Sequence, residues 1–318
     1  MSRYLLRRLI ATVPVLIVVS LIVFVIMRVA PGDVAQMLLS GESGTAASAE
    51  EVHRLRQQLG LDRPYHAQYM TFLAGLVRLD PGKSLWTSEP IMLELGRRIP
   101  VTLELALLAV AISWAIALPT GILSAVFQDT WIDYVFRVFS VAGLALPAFW
   151  TGTLLLLLLV QQLHWMPPLG YVSPMDNPRL NIQQFIWPAL IIGYATAAIL
   201  SRMTRSAVLE VLREDYVRTA RAKGLRGTVV VGRHVLKNAL APVLTVSAVQ
   251  MGNLLGGAVI SETIFTLPGV GRFLVDAILH RDYPVVQTIV ILFGIVVVAL
   301  NLMTDLLYAW LDPRTRRT

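Results

Sequence analysis

Cysteine is absent from the 318 residues of this chain, and charged residues are scarce. The lack of cysteine excludes disulfides, thiolate metal sites and cysteine nucleophiles. Charged residues make up 15% of the chain and hydrophobic residues 56%, whereas soluble domains carry roughly 25% charged residues. The composition therefore predicts a chain whose surroundings are partly lipid.

The sequence also lacks the residue patterns of an active site. Its five histidines are scattered without metal-ligand spacing, and no Ser/His/Asp or HExxH arrangement occurs. Residues 81–84 read PGKS, the end of a phosphate-binding loop, but Val77 stands where that loop requires glycine. We therefore predict that the chain is not an enzyme and holds no cofactor or metal of its own.

Six apolar runs are long enough, or nearly so, to cross a bilayer, for which a helix needs about 20 residues. They are Leu9–Val29, Val101–Phe127, Tyr134–Val160, Phe185–Leu209, Ala239–Ile260 and Gln287–Trp310. In the fourth run, Arg202 and Arg205 leave only residues 185–201 free of charge, so its helix is predicted to continue beyond the lipid. The chain is thus predicted to be an all-α membrane protein with about six transmembrane helices.

Basic residues are distributed unevenly between the connecting segments. Nine Lys and Arg lie between Arg202 and Lys237, whereas residues 161–186 and 261–286 hold three between them. Arginines also cluster at both chain ends. Because cytoplasmic loops carry the excess of Lys and Arg, we predict that both termini and the basic segment are cytoplasmic. The same distribution explains the net charge of +7 without nucleic-acid binding.

These observations predict the organisation of the whole chain. It comprises a cytoplasmic N-terminus and first span (1–29), an extracytoplasmic insert (30–100), a five-helix core (101–310) with a cytoplasmic loop at 210–238, and a cytoplasmic tail (311–318). Within the insert, Ser48-x-x-Glu51 resembles a helix capping box. Pro64 is predicted to begin a further helix, so the insert is predicted to be a small helical domain.

Polar and small residues in the last two runs have both structural and functional interpretations. Gly256 and Gly257 permit close helix approach, while Gln250 and Asn253 are candidates for contacting a polar solute. Packing and pathway lining remain equal alternatives for this group. Asp305, close to the predicted cytoplasmic surface, is predicted to form a structural pairing.

The basic segment contains a short polar helix that ends at a glycine. Residues 214–222 are good helix formers without a lipid-compatible face, and Gly224 is predicted to end the helix in the left-handed conformation. Tyr216, Ala220 and Leu225 are predicted as its apolar contacts. Three basic side chains surround them: Arg218, Arg221 and Lys223. The segment is shaped to dock into a groove of a partner; the alternative is a loop that only sets membrane topology.

The segment also aligns with a known loop pattern, E-A-A-x-x-x-G-x9-I-x-L-P. With Gly224 on the glycine, the E-A-A positions are Arg218, Thr219 and Ala220, and several other positions depart from the pattern. This pattern is typical of the membrane permease subunits of binding-protein-dependent ATP-binding cassette (ABC) importers, which the chain resembles.

The departures resemble those of one branch of that family, the dipeptide/oligopeptide/nickel importers. In this branch DYVRTARAKGL followed by RH-x-L-x-N-A is usual. Blocks along nearly the whole chain resemble it too, among them LGLDRPYHAQY, LPAFWTGTLL, WMPPLGY and ETIFTLPGVGRFLVDAILHRDYPVVQ. The N-terminal segment and the large insert resemble the first of the branch's two permeases, the B-type subunit.

The resemblance implies a type I ABC importer permease fold in a bacterial or archaeal cytoplasmic (inner) membrane, in contact with membrane lipid. It implies a heterodimer with a second, homologous permease, two ABC ATPase subunits that bind ATP and Mg, and an extracytoplasmic substrate-binding protein. It also implies a coupling helix held by one ATPase. The residues of that helix are Tyr216, Arg218, Thr219, Ala220, Arg221, Ala222, Lys223, Gly224 and Leu225.

The resemblance leaves the solute open. Dipeptides or oligopeptides are expected, with nickel chelates, glutathione-like peptides and oligosaccharides as alternatives, because the substrate-binding protein makes most of the selection. The rival function is a self-contained channel or secondary carrier whose basic loop contacts lipid. Such a carrier would normally need ionisable pairs within the membrane or a repeated broken-helix site, and the centres of the predicted spans lack them.

Overall fold

The computed structural model describes residues 2–29, 32–43 and 48–311; for residues 2–10, 40–43 and 305–311 it describes the backbone alone. The helices are α1 (Ser2–Val29), α2 (Val34–Ser43), α3 (Ala49–Gln58), α4 (Tyr65–Val77), α5 (Ile91–Val126), α6 (Trp131–Ala145), α7 (Ala148–Leu163), α8 (Pro178–Leu212), α9 (Asp215–Ala222), α10 (Gly227–Val229), α11 (Leu236–Ile264), α12 (Val270–Leu279) and α13 (Tyr283–Leu311). A π-helical turn, Val230–Val235, joins α10 to α11. The described residues contain no strand beyond one isolated bridge, so the all-α prediction is confirmed.

Among the described residues, five stretches of helix are long and apolar enough to cross a membrane, and they lie in α1, α5, α8, α10–α11 and α13. A sixth span exists if α6 and α7 are counted together, but these two helices are bent by 104°. The single continuous helix predicted over Tyr134–Val160 is therefore corrected to a broken pair. Pro147 has no N–H to donate and disfavours helix at the residue before it, and Leu146 accordingly adopts extended angles (φ −90°, ψ 125°).

Several spans are longer than the apolar runs that predict them, among them α8 and α5. α8 continues past Arg202 and Arg205 to Leu212, as expected from the charges at that end. α5 begins at Ile91, so the predicted boundary of the insert at residue 100 falls inside a helix. Apolar length thus locates the spans but not the helix ends.

The insert contains the helical starts that its sequence predicts. The backbone N–H of Ser48 donates to the Glu51 carboxylate at 2.9 Å, and the Glu51 N–H donates to the Ser48 hydroxyl at 3.3 Å. The hydrogen bonds from Ser48 to the carboxylate lower the pKa of Glu51 below its usual value. Pro64 immediately precedes α4. The capping box and the helix after Pro64 are both confirmed.

Contacts divide the chain into two compact units. One comprises Met1–Pro100 with Arg272–Val298, and the other comprises Val101–Gly271 with Ala299–Thr318. In the second unit, α8 is the central helix and packs against α6, α7 and α11.

Small residues allow the close packing of α8. In lipid, association of helices depends on van der Waals contact rather than on removal of water, so small residues at the interfaces are favoured. A Cβ added to Gly121 of α5 would lie 2.6 Å from the Thr204 Cβ and 2.7 Å from the Ser201 carbonyl oxygen of α8. Glycine is therefore required at position 121.

A buried carboxylate holds the segment after α11. Glu262 is fully buried and accepts a hydrogen bond from the Thr102 hydroxyl of α5 at 2.6 Å. The same hydroxyl accepts from the Val270 N–H at 2.9 Å. These two hydrogen bonds connect the start of α12 to α5 through the Thr102 hydroxyl.

Candidate functional site

The candidate coupling segment consists of α9 and the turn that follows it. The N–H of Lys223 donates to the Thr219 carbonyl, and the N–H of Gly224 donates to the Arg221 carbonyl. Gly224 has φ = 77°, which is the left-handed end predicted from the sequence. The eight-residue helix is therefore stopped by backbone geometry.

α9 has one apolar face and one polar face. Val217 is completely buried and Ala220 is 6% exposed, and both belong to a cluster that includes Val208 of α8 and Val235 of the π-helical turn. Residues three apart lie on the same side of a helix, so this pair fixes which side of α9 faces the core. The other side is exposed and carries Arg218, Thr219, Arg221, Ala222 and Lys223.

Ala220 therefore differs from the sequence-based expectation that it contacts a partner. The structure places it against its own chain, because Val217 and Ala220 form the apolar stripe of α9 and are covered by the core. Tyr216 and Leu225 remain 42% and 40% exposed. These two side chains are the large apolar groups that the segment leaves exposed.

A pair of substitutions at adjacent positions tests the two faces of α9. Ala220→Glu is expected to lower the free energy of unfolding by about 3 kcal/mol or more, since it buries a carboxylate without a partner. Thr219→Glu places the same group in solvent and is expected to change it by less than about 0.5 kcal/mol. Thermal unfolding of the purified full-length chain in detergent measures both; equal losses would contradict the assignment of faces.

The exposed face of α9 and its turn is strongly basic. Arg218 forms an ion pair with Asp215 at 3.3 Å, but both side chains are largely exposed, so the pair contributes little. Within the part of the chain that the structure describes, Arg221, Lys223 and Arg226 form no ion pair with an acid. The surface is thus complementary to an acidic partner.

A hydrogen bond links α9 to the start of α11. The Asn238 side-chain amide donates to the Tyr216 hydroxyl at 2.7 Å. Tyr216 therefore joins the exposed segment to a long membrane helix. Sequence reasoning missed Asn238, although it lies in the RH-x-L-x-N-A block that carries the family resemblance.

The four candidate pathway residues of α11 have different surroundings. A Cβ on Gly257 would lie 3.2 Å from Ile192 of α8, whereas one on Gly256 would meet nothing within 4 Å. The Asn253 amide donates to the Gln250 side-chain oxygen at 2.9 Å, and this pair is exposed. Gly257 therefore packs against α8, whereas the position of Gly256 is open and the Gln250–Asn253 hydrogen bond is exposed.

The sequence did not predict an ion pair between α6 and α8. Two guanidinium nitrogens of Arg205 donate to the Asp133 carboxylate at 2.9 and 2.7 Å, and the Ser124 hydroxyl donates to it at 2.5 Å. Asp133 is completely buried. In the sequence, Asp133 is an acid at the edge of an apolar run, and this position was the signal that could have indicated the ion pair.

The predicted pairing of Asp305 concerns a side chain outside the described residues.

Together, the five or six candidate spans among the described residues and the basic helix α9 outside them define a multi-pass membrane protein. Residues 117–317 match the family described as the inner membrane component of binding-protein-dependent transport systems. Residues 1–106 match the N-terminal segment of such membrane components. The chain belongs to this family and is the transmembrane subunit of an ABC importer.

Similar proteins extend over the full length of the chain. It is 39% identical to the dipeptide transport system permease protein DppB of Alkalihalophilus pseudofirmus, over 99% of this chain and 100% of that protein. It is 40% identical to a putative peptide transport system permease of Brucella abortus and 38% identical to the glutathione transport system permease GsiC of Escherichia coli, each over 99% of both chains.

A solved structure supports the fold. The crystal structure of an amino acid ABC transporter with histidines aligns with a TM-score of 0.50, over 68% of this chain and 93% of that chain, at 15% identity. The predicted ABC importer permease fold is thereby confirmed. Membership of the family implies ATPase and substrate-binding partners and a multi-pass location in the inner membrane.

Proposed function

We propose that this chain is one of two different permeases of a peptide importer and that α9 with its turn couples it to an ATPase. The relatives named above are permeases for dipeptides, peptides and glutathione. These solutes share the peptide bond, which favours small peptides over nickel chelates and oligosaccharides.

The observation that carries the coupling proposal is the division of α9 into two faces. Its apolar stripe is fixed to the core of the permease, and its opposite face presents basic groups, of which Arg221 and Lys223 form no ion pair with any residue that the structure describes. A helix anchored on one side and charged on the other transmits movement better than a mobile loop does. Tyr216 and Leu225 supply apolar contacts beside the charges.

Two connections lead from this helix into the membrane helices. Val217 packs in one cluster with Val208 of α8, and Tyr216 is hydrogen-bonded to Asn238 of α11. The ATPases bind ATP and Mg, and their closure moves the coupling helices of the two permeases. Because α8 and α11 pack against each other, both follow as a unit between two discrete packings.

The proposed topology counts α6 and α7 as one broken span, which gives six spans. Both termini and the basic segment then lie in the cytoplasm, and residues 30–100 lie outside, in agreement with the distribution of Lys and Arg. Gln250, Asn253 and Gly256 are proposed to face the pathway shared with the second permease, and Gly257 serves packing.

Co-purification tests this function. The chain would be tagged at its C-terminus, expressed with its neighbouring genes, purified in mild detergent and analysed by mass spectrometry. We expect a second permease and two ATPases that carry phosphate-binding loops. A stable homo-oligomer without an ATPase would contradict the proposal and favour a channel or secondary carrier.

A further inference from the structure

A cavity of about 500 Å³ lies within the unit that contains the insert. Its walls come from the end of α1, from α4 and the segments that flank it, and from the start of α13. This volume falls in the range of about 300–1,000 Å³ that is usual for small-ligand sites. The lining includes apolar side chains such as Phe72 and Leu85 and a small number of charged ones.

Arg28 lines this cavity, and one of its three guanidinium nitrogens has no hydrogen-bond partner within the described part of the chain. Its Nε and Nη2 both donate to the Gln68 side-chain oxygen, at 3.1 and 2.6 Å. The guanidinium also lies over the rings of Phe24 and Tyr283, with Cζ 4.8 and 4.2 Å from their centres. Its Nη1 is buried and has no hydrogen-bond partner among the described residues. A buried charged donor of this kind is costly unless an acceptor reaches it.

The second unsatisfied donor lies in the same cavity. Gln287 is 3% exposed, lines the cavity, and its Nε2 is buried without a partner. Within the described residues, these two nitrogens are the only buried side-chain polar atoms that lack a hydrogen bond. Both are donors, so the missing group is an acceptor.

The charges around the cavity favour an anion. Arg63 and Arg78 also line it, and neither forms an ion pair with any residue that the structure describes. The single acid in the lining, Asp80, accepts from the Gly82 N–H at 3.2 Å. Three arginines against one aspartate give the cavity a positive potential, which suits a phosphate group.

The position of the cavity along the spans indicates the source of that phosphate. Arg28 is the penultimate residue of the apolar stretch Ala11–Val29, and Tyr283 begins the apolar stretch Tyr283–Thr304. Side chains at the ends of spans lie at the level of the lipid headgroups. Beside Arg28, α1 exposes Val25, Ile26 and Val29 by 47%, 59% and 75%, which provides an apolar surface for an acyl chain.

We propose that this cavity binds the phosphate group of an anionic phospholipid, with Arg28 and Gln287 as donors and Arg63 and Arg78 at the rim. The lipid fixes the extracytoplasmic end of α1 to the insert and to α13. This inference depends neither on ATPase coupling nor on the identity of the solute.

Lipid titration of the purified complex tests the site. The probe is dihexanoyl-phosphatidylglycerol, added to delipidated complex in mild detergent, and the readout is the unfolding temperature. We expect a saturable increase in the wild-type complex. Arg28→Gln is expected to weaken the affinity roughly ten- to one-hundredfold, because it removes a charge-assisted hydrogen bond.

Arg54→Gln is the matched control, since the Arg54 side chain belongs to the same insert, is 70% exposed and does not line the cavity. Its lipid response is expected to equal that of the wild type. Equal responses of Arg28→Gln and wild type would overturn the proposal. If inorganic phosphate alone gave the same increase in unfolding temperature, the site would bind free anions and its assignment to a phospholipid would be wrong. Should Arg28→Gln not fold, the exposed Arg78→Gln is expected to show a smaller loss of affinity, and an unchanged affinity there would also contradict the site.

Discussion

Gly224→Asp is expected to reduce ATP-driven uptake to less than about a tenth of the wild-type rate, while the chain stays in the membrane. A tenfold loss corresponds to about 1.4 kcal/mol of interaction free energy. Gly224 has φ = 77°, a conformation that aspartate tolerates better than most residues do, and a Cβ there would meet nothing within 4 Å. The new carboxylate would lie beside Arg221, Lys223 and Arg226. It would weaken the positive surface and repel acids of the ATPase, and juxtaposed like charges at an interface are strongly unfavourable.

Gly224→Asn is the control for this prediction, because asparagine has the same shape, tolerates the same backbone angle and carries no charge. Its uptake is expected to remain close to that of the wild type. Uptake of a labelled dipeptide and the amount of ATPase retained by the tagged chain measure both variants. Equal losses in the two variants would attribute the effect to the backbone, and normal retention in Gly224→Asp would contradict docking at this surface.

Arg205→Ala is expected to lower the free energy of unfolding by about 3–5 kcal/mol. The substitution removes two hydrogen bonds from the completely buried Asp133 carboxylate, which keeps its bond from Ser124 but loses its countercharge. Chemical unfolding in detergent measures the change. The loss should appear first in the contact between α6 and α8, which this pair joins.

Arg202→Ala is the matched control, since Arg202 lies one turn earlier on α8 and is exposed. Its effect is expected to stay within about 0.5 kcal/mol. Combining Asp133→Ala with Arg205→Ala should recover part of the stability lost in Arg205→Ala, because no buried charge is then left unpaired. A double variant that loses the sum of the two single losses would show that the pair is not coupled.

The helical architecture could be predicted because membrane spans obey a simple physical rule. A helix satisfies its own backbone in lipid, so long apolar runs identify spans without reference to tertiary contacts. The capping box at Ser48 and the left-handed Gly224 were predictable for the same reason, because each depends only on residues that are close in sequence. The break at Leu146 was not predicted, although Pro147 gave a local signal, because an apolar run of the right length was interpreted as one helix.

The faces of helices could not be predicted in the same way. Whether Ala220 contacts a partner or its own core depends on where α8 and the π-helical turn pass, and only the fold determines that. The Asp133–Arg205 pair and the Tyr216–Asn238 hydrogen bond join residues 72 and 22 positions apart. A single sequence does not show that either pair of residues is in contact. The separation of Gly257 from Gly256 likewise required the position of Ile192.

Site-specific crosslinking tests the coupling helix most directly. Because the chain has no cysteine, Thr219→Cys introduces a unique thiol on the exposed face of α9. Met175→Cys introduces one at a residue that is 92% exposed, in a segment predicted to lie outside the cytoplasm. With a maleimide that carries a benzophenone photocrosslinker, which labels the introduced thiol and inserts into nearby C–H bonds on illumination, we predict that Thr219→Cys of the co-expressed complex links to an ATPase and that Met175→Cys does not. An ATPase that co-purifies with the chain but links to neither Thr219→Cys nor Lys223→Cys would contradict the account.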